Sequence, residues 1–137
     1  MSEPATPRLA AAAAFEAGSP ERYTGSVILA RVLRASDDSV RVYEVCFAPA
    51  SRTVWHAHAG EQLLVILSGH CVVQCGEAPA RHLAPGEGMR VPAGVRHWHG
   101  ALATGPASHL ALNAHGPTDW GRPVSDAEFG VAVRVMD

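Results

Sequence analysis

Charge is scarce in this chain: Asp, Glu, Lys and Arg make up 18% of its 137 residues, and the net charge is −2. That excludes the basic footprint of a nucleic-acid-binding protein. Cysteine is scarce as well. Cys46, Cys71 and Cys75 are odd in number and form no CxxC pair, so a disulfide framework is not expected. Cys71 and Cys75 share parity on an expected strand, which reads as packing rather than metal or redox chemistry. The N-terminus has no basic n-region, and its LAAAAAF run is too short and too weakly hydrophobic for a signal peptide or a membrane span. Long amphipathic helices, internal repeats and low-complexity blocks beyond the alanines are also missing. These absences predict a reduced, soluble, cytoplasmic protein with neither nucleic acid nor membrane as partner.

What is present is a strand-and-turn texture. A chain of 137 residues makes one domain with a real core. Thirteen glycines and ten prolines punctuate GSVILARVL, VRVYEVCF, TVWHAH, QLLVILSG, HCVVQC, GMRVP and SHLALN. Seven or more short strands at this spacing predict an all-β sandwich or small barrel. Residues 1–22 are Pro/Ala-rich and read as an N-terminal arm with at most one short helical turn over the alanines. The domain proper is expected over 23–137. Ser125 and Glu128 have capping-box spacing, which predicts a short C-terminal helix. The VAVRV alternation that follows is equally compatible with a strand.

The histidines are unevenly placed. In WHAHAGEQ, His56 and His58 share parity, so on a strand they point the same way. If the extended chain resumes after a turn at Ala59–Gly60, Gln62, Leu64 and Ile66 share that interior and Glu61 faces outward. A bulge in the turn would exchange Gln62 and Glu61. In PGEGMRVPAGVRHWHG, His97 and His99 again share a face, with Trp98 on the other. SHLALN aligns His109, Ala111 and Asn113. Any one HxH pair can be an exposed strand. Two on separate apolar strands would bury several imidazoles at a cost that a metal relieves. Glu44, Arg52 and Arg90 read as solvated, Glu61 and Arg96 as outward-facing. His70, His82 and His115 read as turn residues without chemistry.

These two segments resemble the paired motifs of the cupin superfamily. The first, G-x5-H-x-H-x3,4-E-x6-G, falls on Ala50, His56, His58, Gln62 and Gly69, with Ala for the first Gly and Gln for Glu. The second, G-x5-P-x-G-x2-H, is met in full by Gly86, Pro92, Gly94 and His97. The resemblance implies a double-stranded β-helix (jelly-roll) barrel with a divalent metal held by His56, His58, Gln62 and His97. Within the superfamily the chain is similar over about residues 23–128 to small single-domain bacterial cupins that include manganese-dependent hydroxynitrile lyases. YTG, SRTVWHAH, PAGVRHWHGA, SHLAL and DW carry that likeness. It implies a Gln in the acidic ligand position, as Gln62 here, and substrate-side histidines at His99 and His109. Asn113 stands in the pocket floor where those lyases have Gln.

The expected function is therefore a metal-dependent enzyme on a small organic substrate, most simply a lyase with a Lewis-acid metal and a histidine proton shuttle. A thiolate-free set of imidazoles and an amide suits manganese, iron(II), nickel, cobalt or zinc without ranking them; with the resemblance, manganese or iron is the expected metal. Unperturbed imidazoles titrate near about 6.5, which suits proton transfer by His99 and His109 at neutral pH. His99 is expected roughly 6–7 Å beyond His97 along its strand, outside a shared ligand shell. The alternatives are an iron(II) dioxygenase of an aromatic or diketone substrate and a metal- or ligand-binding module without turnover. Trp55 and Trp98, alternating with the ligands, are expected to pack the outer sheet face or a homodimer interface.

Overall fold

The computed structural model describes residues 3–134. A 3-10 turn at Ala12–Ala14 precedes β1 (Glu16–Ala17), β2 (Tyr23–Thr24), β3 (Val27–Arg34), β4 (Val40–Phe47) and β5 (Arg52–Thr53). There follow β6 (His56–His58), β7 (Gln62–Ser68), β8 (Cys71–Cys75), β9 (Arg81–Leu83) and β10 (Gly88–Val91). β11 (His97–Ala101), β12 (Ala107–Ala114), β13 (Thr118–Trp120) and helix α1 (Asp126–Arg134) complete the order. All strand pairings are antiparallel. One sheet runs β1-β3-β4-β12-β7-β10; the other runs β13-β6-β11-β5-β2, with β8 and β9 joined to it through β11. Two sheets face each other across a shared interior, the barrel that the family resemblance implied. No helix among the described residues is long and apolar enough to cross a membrane.

Side-chain alternation sets the interior. On β7, Gln62, Leu64 and Ile66 are buried while Leu63 and Val65 are exposed. Their inward neighbours on β12 are Asn113, Ala111 and His109, and beyond these on β4 lie Arg41, Tyr43 and Val45. Phe47, Leu64, Ile66, Val73, Leu83 and Val91 belong to one buried apolar cluster in the interior, and Phe47 packs there against His99 and His109.

Three motif positions show their backbone reason. Ala50 has φ 64°, Gly69 has φ 66° and Gly86 has φ 88°. A side chain in that left-handed region costs roughly 1–2 kcal/mol, so Ala50 sits where glycine would be unstrained. At Gly69 a Cβ would come within 2.1 Å of the Pro106 carbonyl oxygen.

Arg8 and Leu9 cover the outside of the first sheet at Glu44, and Glu16–Ala17 continue along its edge. Ala5 is buried and its N–H donates to Phe47 O at 3.2 Å, while β1 adds to the edge of β3. Glu44, expected to be solvated, is fully buried beneath this segment. Its carboxylate accepts the N–H groups of Arg8 at 2.7 Å and Leu9 at 2.8 Å, donors that replace its lost water. Arg52 is a second correction. It is buried, donates to Val124 O at 2.8 Å and to Asp126 Oδ1 at 2.9 Å, and lies 4.6 Å over the Phe129 ring. Arg52 therefore fastens the start of α1 to the barrel.

The capping box forms as expected: Glu128 N–H donates to Ser125 Oγ at 3.0 Å and Ser125 N–H to Glu128 Oε1 at 2.9 Å. The segment after Glu128 is helix through Arg134, not strand; 135 and 136 lie outside the described residues. Trp98 and Trp55 pack on the outer sheet face with Phe129, Ala132 and Val124. Glu61 pairs with Arg90 and Arg96 with Asp119 at the surface. His82 lies in β9 rather than at a turn, and its ring contacts Ala132 O of α1 at 2.9 Å. The three cysteines are free. Burial pushes the Cys46 and Cys71 thiols up to about 12, so neither supplies a thiolate at neutral pH.

Candidate metal centre and pocket

His56 and His58 on β6 and His97 and His99 on β11 all point inward and are buried. The two strands are neighbours, with His97 directly opposite His56. The ring centroids lie 4.2 Å apart for His56–His97, 4.9 Å for His56–His58 and 5.3 Å for His58–His97. Gln62, at the start of β7, is buried and faces the same space, while Glu61 faces solvent. The turn at Ala59–Gly60 therefore preserves the parity that favoured Gln62.

Each of three rings is anchored through Nδ1. His56 is held by Val54 O at 2.8 Å, His58 by Thr118 Oγ1 at 2.9 Å and His97 by Val95 O at 3.0 Å. With the proton on Nδ1, each presents a lone pair at Nε2, the usual arrangement of a metal-ligating imidazole. Burial, the largest cause for each, lowers His56 to about 2 and His97 to about 4, and lowers His58 as well. All three are neutral at pH 7 and need lose no proton to bind a cation.

His97 is bracketed by two acceptors. Besides Val95 O at Nδ1, its Nε2 lies 3.0 Å from Gln62 Oε1. The Gln62 amide is oriented by its own N–H, which donates to Asn113 Oδ1 at 2.8 Å. A neutral imidazole has one N–H to give, and burial disfavours the doubly protonated ring. One of the two contacts therefore meets lone pair to lone pair. A cation on the Nε2 side would satisfy both His97 and Gln62. His58 Nε2 and His99 Nε2 are buried in the same region without a hydrogen-bond partner. The donor set thus fits a divalent metal.

His99 departs from two expectations. The tightest group of candidate ligand atoms is His56, His97 and His99, all within 4.8 Å of one another, closer than strand spacing alone predicts. Inward side chains of a closed barrel converge, which shortens the separation between their tips. The proton chemistry also differs. His99 Nδ1 and His109 Nε2 are 2.9 Å apart. Burial is the main cause lowering His109 to about 4 and His99 well below its ordinary value. The pair is therefore neutral at pH 7, a proton acceptor rather than the half-protonated shuttle expected from ordinary imidazoles. Phe47 walls both rings, with centroids 6.3 Å from His99 and 5.3 Å from His109.

A cavity of about 340 Å³ opens from this cluster, at the small end of the range for ligand pockets. His56, His58, Gln62, His99 and Asn113 line it, with Tyr43, Trp120 and Arg41 further out. A larger open groove of about 710 Å³ lies outside the barrel between Trp55, Arg122 and Val131; it contains no histidine. Strand β13 supplies two site residues absent from the sequence-based set. Thr118 holds His58, and the Trp120 ring stacks on His56 at 4.9 Å and 27°. The equal parity of Thr118 and Trp120 in TDW was the available signal.

The cupin domain family model matches residues 43–113. The chain is 30% identical over 116 residues to the (R)-mandelonitrile lyase of Granulicella tundricola, covering 82% of this chain and 88% of that protein. A cupin-like protein from Thermotoga maritima is 32% identical with a TM-score of 0.82, over 85% of this chain and 91% of that one. A cupin-2 domain protein from Rhodospirillum rubrum is 17% identical with a TM-score of 0.72, over 98% and 90%; at that identity the likeness concerns the fold alone.

Proposed function

The chain belongs to the cupin family, and from that premise we propose that it is a metal-dependent lyase cleaving small α-hydroxynitriles. In this reading His56, His58, Gln62 and His97 hold a divalent manganese or iron ion, and His99 backed by His109 moves the proton. The bracketing of His97 between Val95 O and Gln62 Oε1 carries the metal assignment. The 30% identity to a mandelonitrile lyase supports the lyase class.

The metal would supply Lewis acidity to the substrate hydroxyl oxygen, its charge uncompensated because the ligand set holds no carboxylate. The remaining work falls to the chain. In the tautomer that donates Nδ1–H to His109, His99 presents a basic Nε2 to the cavity and accepts the hydroxyl proton. The O–H electron pair becomes the carbonyl π bond, the bond to the nitrile carbon breaks, and cyanide departs with that bond's electrons. The His99 imidazolium returns the proton to cyanide, so the products are a carbonyl compound and hydrogen cyanide. Burial against Phe47 keeps water from competing for the proton.

The test is metal content of protein purified without added metal, then turnover of a cyanohydrin panel after reconstitution with manganese and with iron. Cyanide release with manganese is expected. Oxygen uptake with iron and no cyanide release would replace the lyase by an oxygenase.

We also propose a homodimer. Leu33, Val42, Leu112 and Leu63 form one apolar row across the outer face of the first sheet, with Leu33 67% and Leu63 42% exposed. Sedimentation velocity checks it, and a monomer would refute it.

A further inference from the structure

The far wall of the cavity differs chemically from the histidine cluster. Arg41 and Arg22 line it together with the phenols of Tyr23 and Tyr43, and none of the lining residues is acidic. Arg41, Asn113 and Gln62 are directly opposite one another on β4, β12 and β7. At about 4.8 Å between strands, the Arg41 backbone stands roughly 10 Å from that of Gln62. The row thus leads from a guanidinium through an amide to the candidate ligand.

Neither arginine has a carboxylate within ion-pair distance among the described residues. Arg41 donates one Nη2–H to Gly116 O at 3.1 Å, and its buried Nε has no hydrogen-bond partner. Asp38, whose carboxyl feels Arg41 weakly, is already bonded to Arg34 at 3.0 Å. Arg22 lies 4.9 Å over the Trp120 ring, which also stacks on His56. If Arg41 served only to pin the Gly116 loop, a single N–H would suffice, and a half-buried cation would remain uncompensated.

We propose that this wall is an anion subsite and that the substrate carries a carboxylate, bound by the Arg41 guanidinium with Arg22 at the rim. The substrate class is a small hydroxy compound with its acid group remote from the reacting carbon. A planar guanidinium fits a carboxylate with paired N–H donors. Tyr23 adds a neutral donor: burial raises its phenol to about 12, so its proton stays in place. The proposal rests on the lyase reading for the reaction but not for binding.

Binding is therefore tested on the metal-free full chain, where a carboxylate cannot be captured by metal. Para-(hydroxymethyl)benzoate and the neutral para-(hydroxymethyl)benzamide are titrated by calorimetry at neutral pH. The acid is expected to bind at least about tenfold more tightly, and Arg41→Met to weaken it by about 10–100-fold while removing the preference. Arg22→Met should reduce the preference less. If circular dichroism shows Arg41→Met unfolded, Arg41→Lys, which keeps charge and loses the fork, takes its place. Equal binding of acid and amide, no saturable binding of the acid, or a preference that survives both arginine substitutions overturns the subsite. Cyanohydrins of benzaldehyde and para-formylbenzoate are assayed separately on manganese-loaded protein. No turnover of either refutes the lyase while leaving the binding result intact.

Discussion

On β6 the residue between the two histidines is Ala57, and the strand lies between β13 and β11; on β11 it is the buried Trp98, with β6, β5 and β8 as neighbours. Both strands aim two imidazoles inward. On β6 both Nδ1 atoms are tied to oxygens, Val54 O and Thr118 Oγ1. On β11 only His97 is tied that way, through Val95 O, while His99 is tied to another imidazole. A carbonyl oxygen only accepts, so it fixes the tautomer of His56 and of His97 and leaves a lone pair at Nε2. The Thr118 hydroxyl beside His58 and the second imidazole beside His99 do not, because either partner can donate. In the proposed reading, the same HxH pattern offers two ligands on one strand, and one ligand with a proton-accepting pair on the other.

The sharpest way to break this comparison is on β11 itself. His97→Ala is expected to lose the metal and with it all measurable cyanide release. His99→Ala should keep near-full metal occupancy and lose about 10²–10⁴-fold in rate, the range for a positioned acid or base. Elemental analysis of both variants beside the assay decides the matter. Loss of metal from His99→Ala would make His99 a ligand, as its place within the 4.8 Å group allows.

Acid should expose how deeply both strands are buried. His56, His97 and His109 fall to about 2, 4 and 4 in the folded chain, against about 6.5 when unfolded. The unfolded state therefore binds more protons below pH 6.5, and stability is lost as pH falls from there towards 4. Each of these residues should contribute about 1.4 kcal/mol per pH unit across that window. Denaturant melts of metal-free protein at several pH values measure the slope; a flat profile would mean that the rings are solvated.

A smaller effect isolates the β6 side. Thr118→Val removes the hydroxyl bonded to His58 Nδ1, and should weaken metal binding by about 10–100-fold with little change in the melt of the metal-free protein. Competition with a chelator reads it, and unchanged affinity would remove Thr118 from the site. Smallest is Ala50→Gly, in the bend ahead of β5 and β6. Relief of the positive φ should raise stability by about 0.5–1 kcal/mol, read as a higher melting temperature.

Much of the site was legible because strand parity is local. Two residues per repeat placed His56, His58, Gln62, His97, His99, His109 and Asn113 inward without knowledge of strand order. The choice of Gln62 over Glu61 followed from the same rule once the turn held no bulge. Glu44 and Arg52 were misread because their polarity was weighed without knowing what would cover them. The covering elements are residues 8–9, about 35 positions earlier, and residues 124–126, about 70 positions later.

The sequence by itself determined the alternation, the turn positions and the motif spacing, and from these which side chains enter the barrel. Those depend on backbone geometry within a few residues. Only the tertiary structure decided which atom each ring offers, that His99 and His109 share a hydrogen bond, and that their burial keeps both neutral. It also brought Arg41, Asn113 and Gln62 into one row. Tautomer, proton affinity and substrate reach depend on neighbours contributed by distant strands, and on the water that those neighbours exclude.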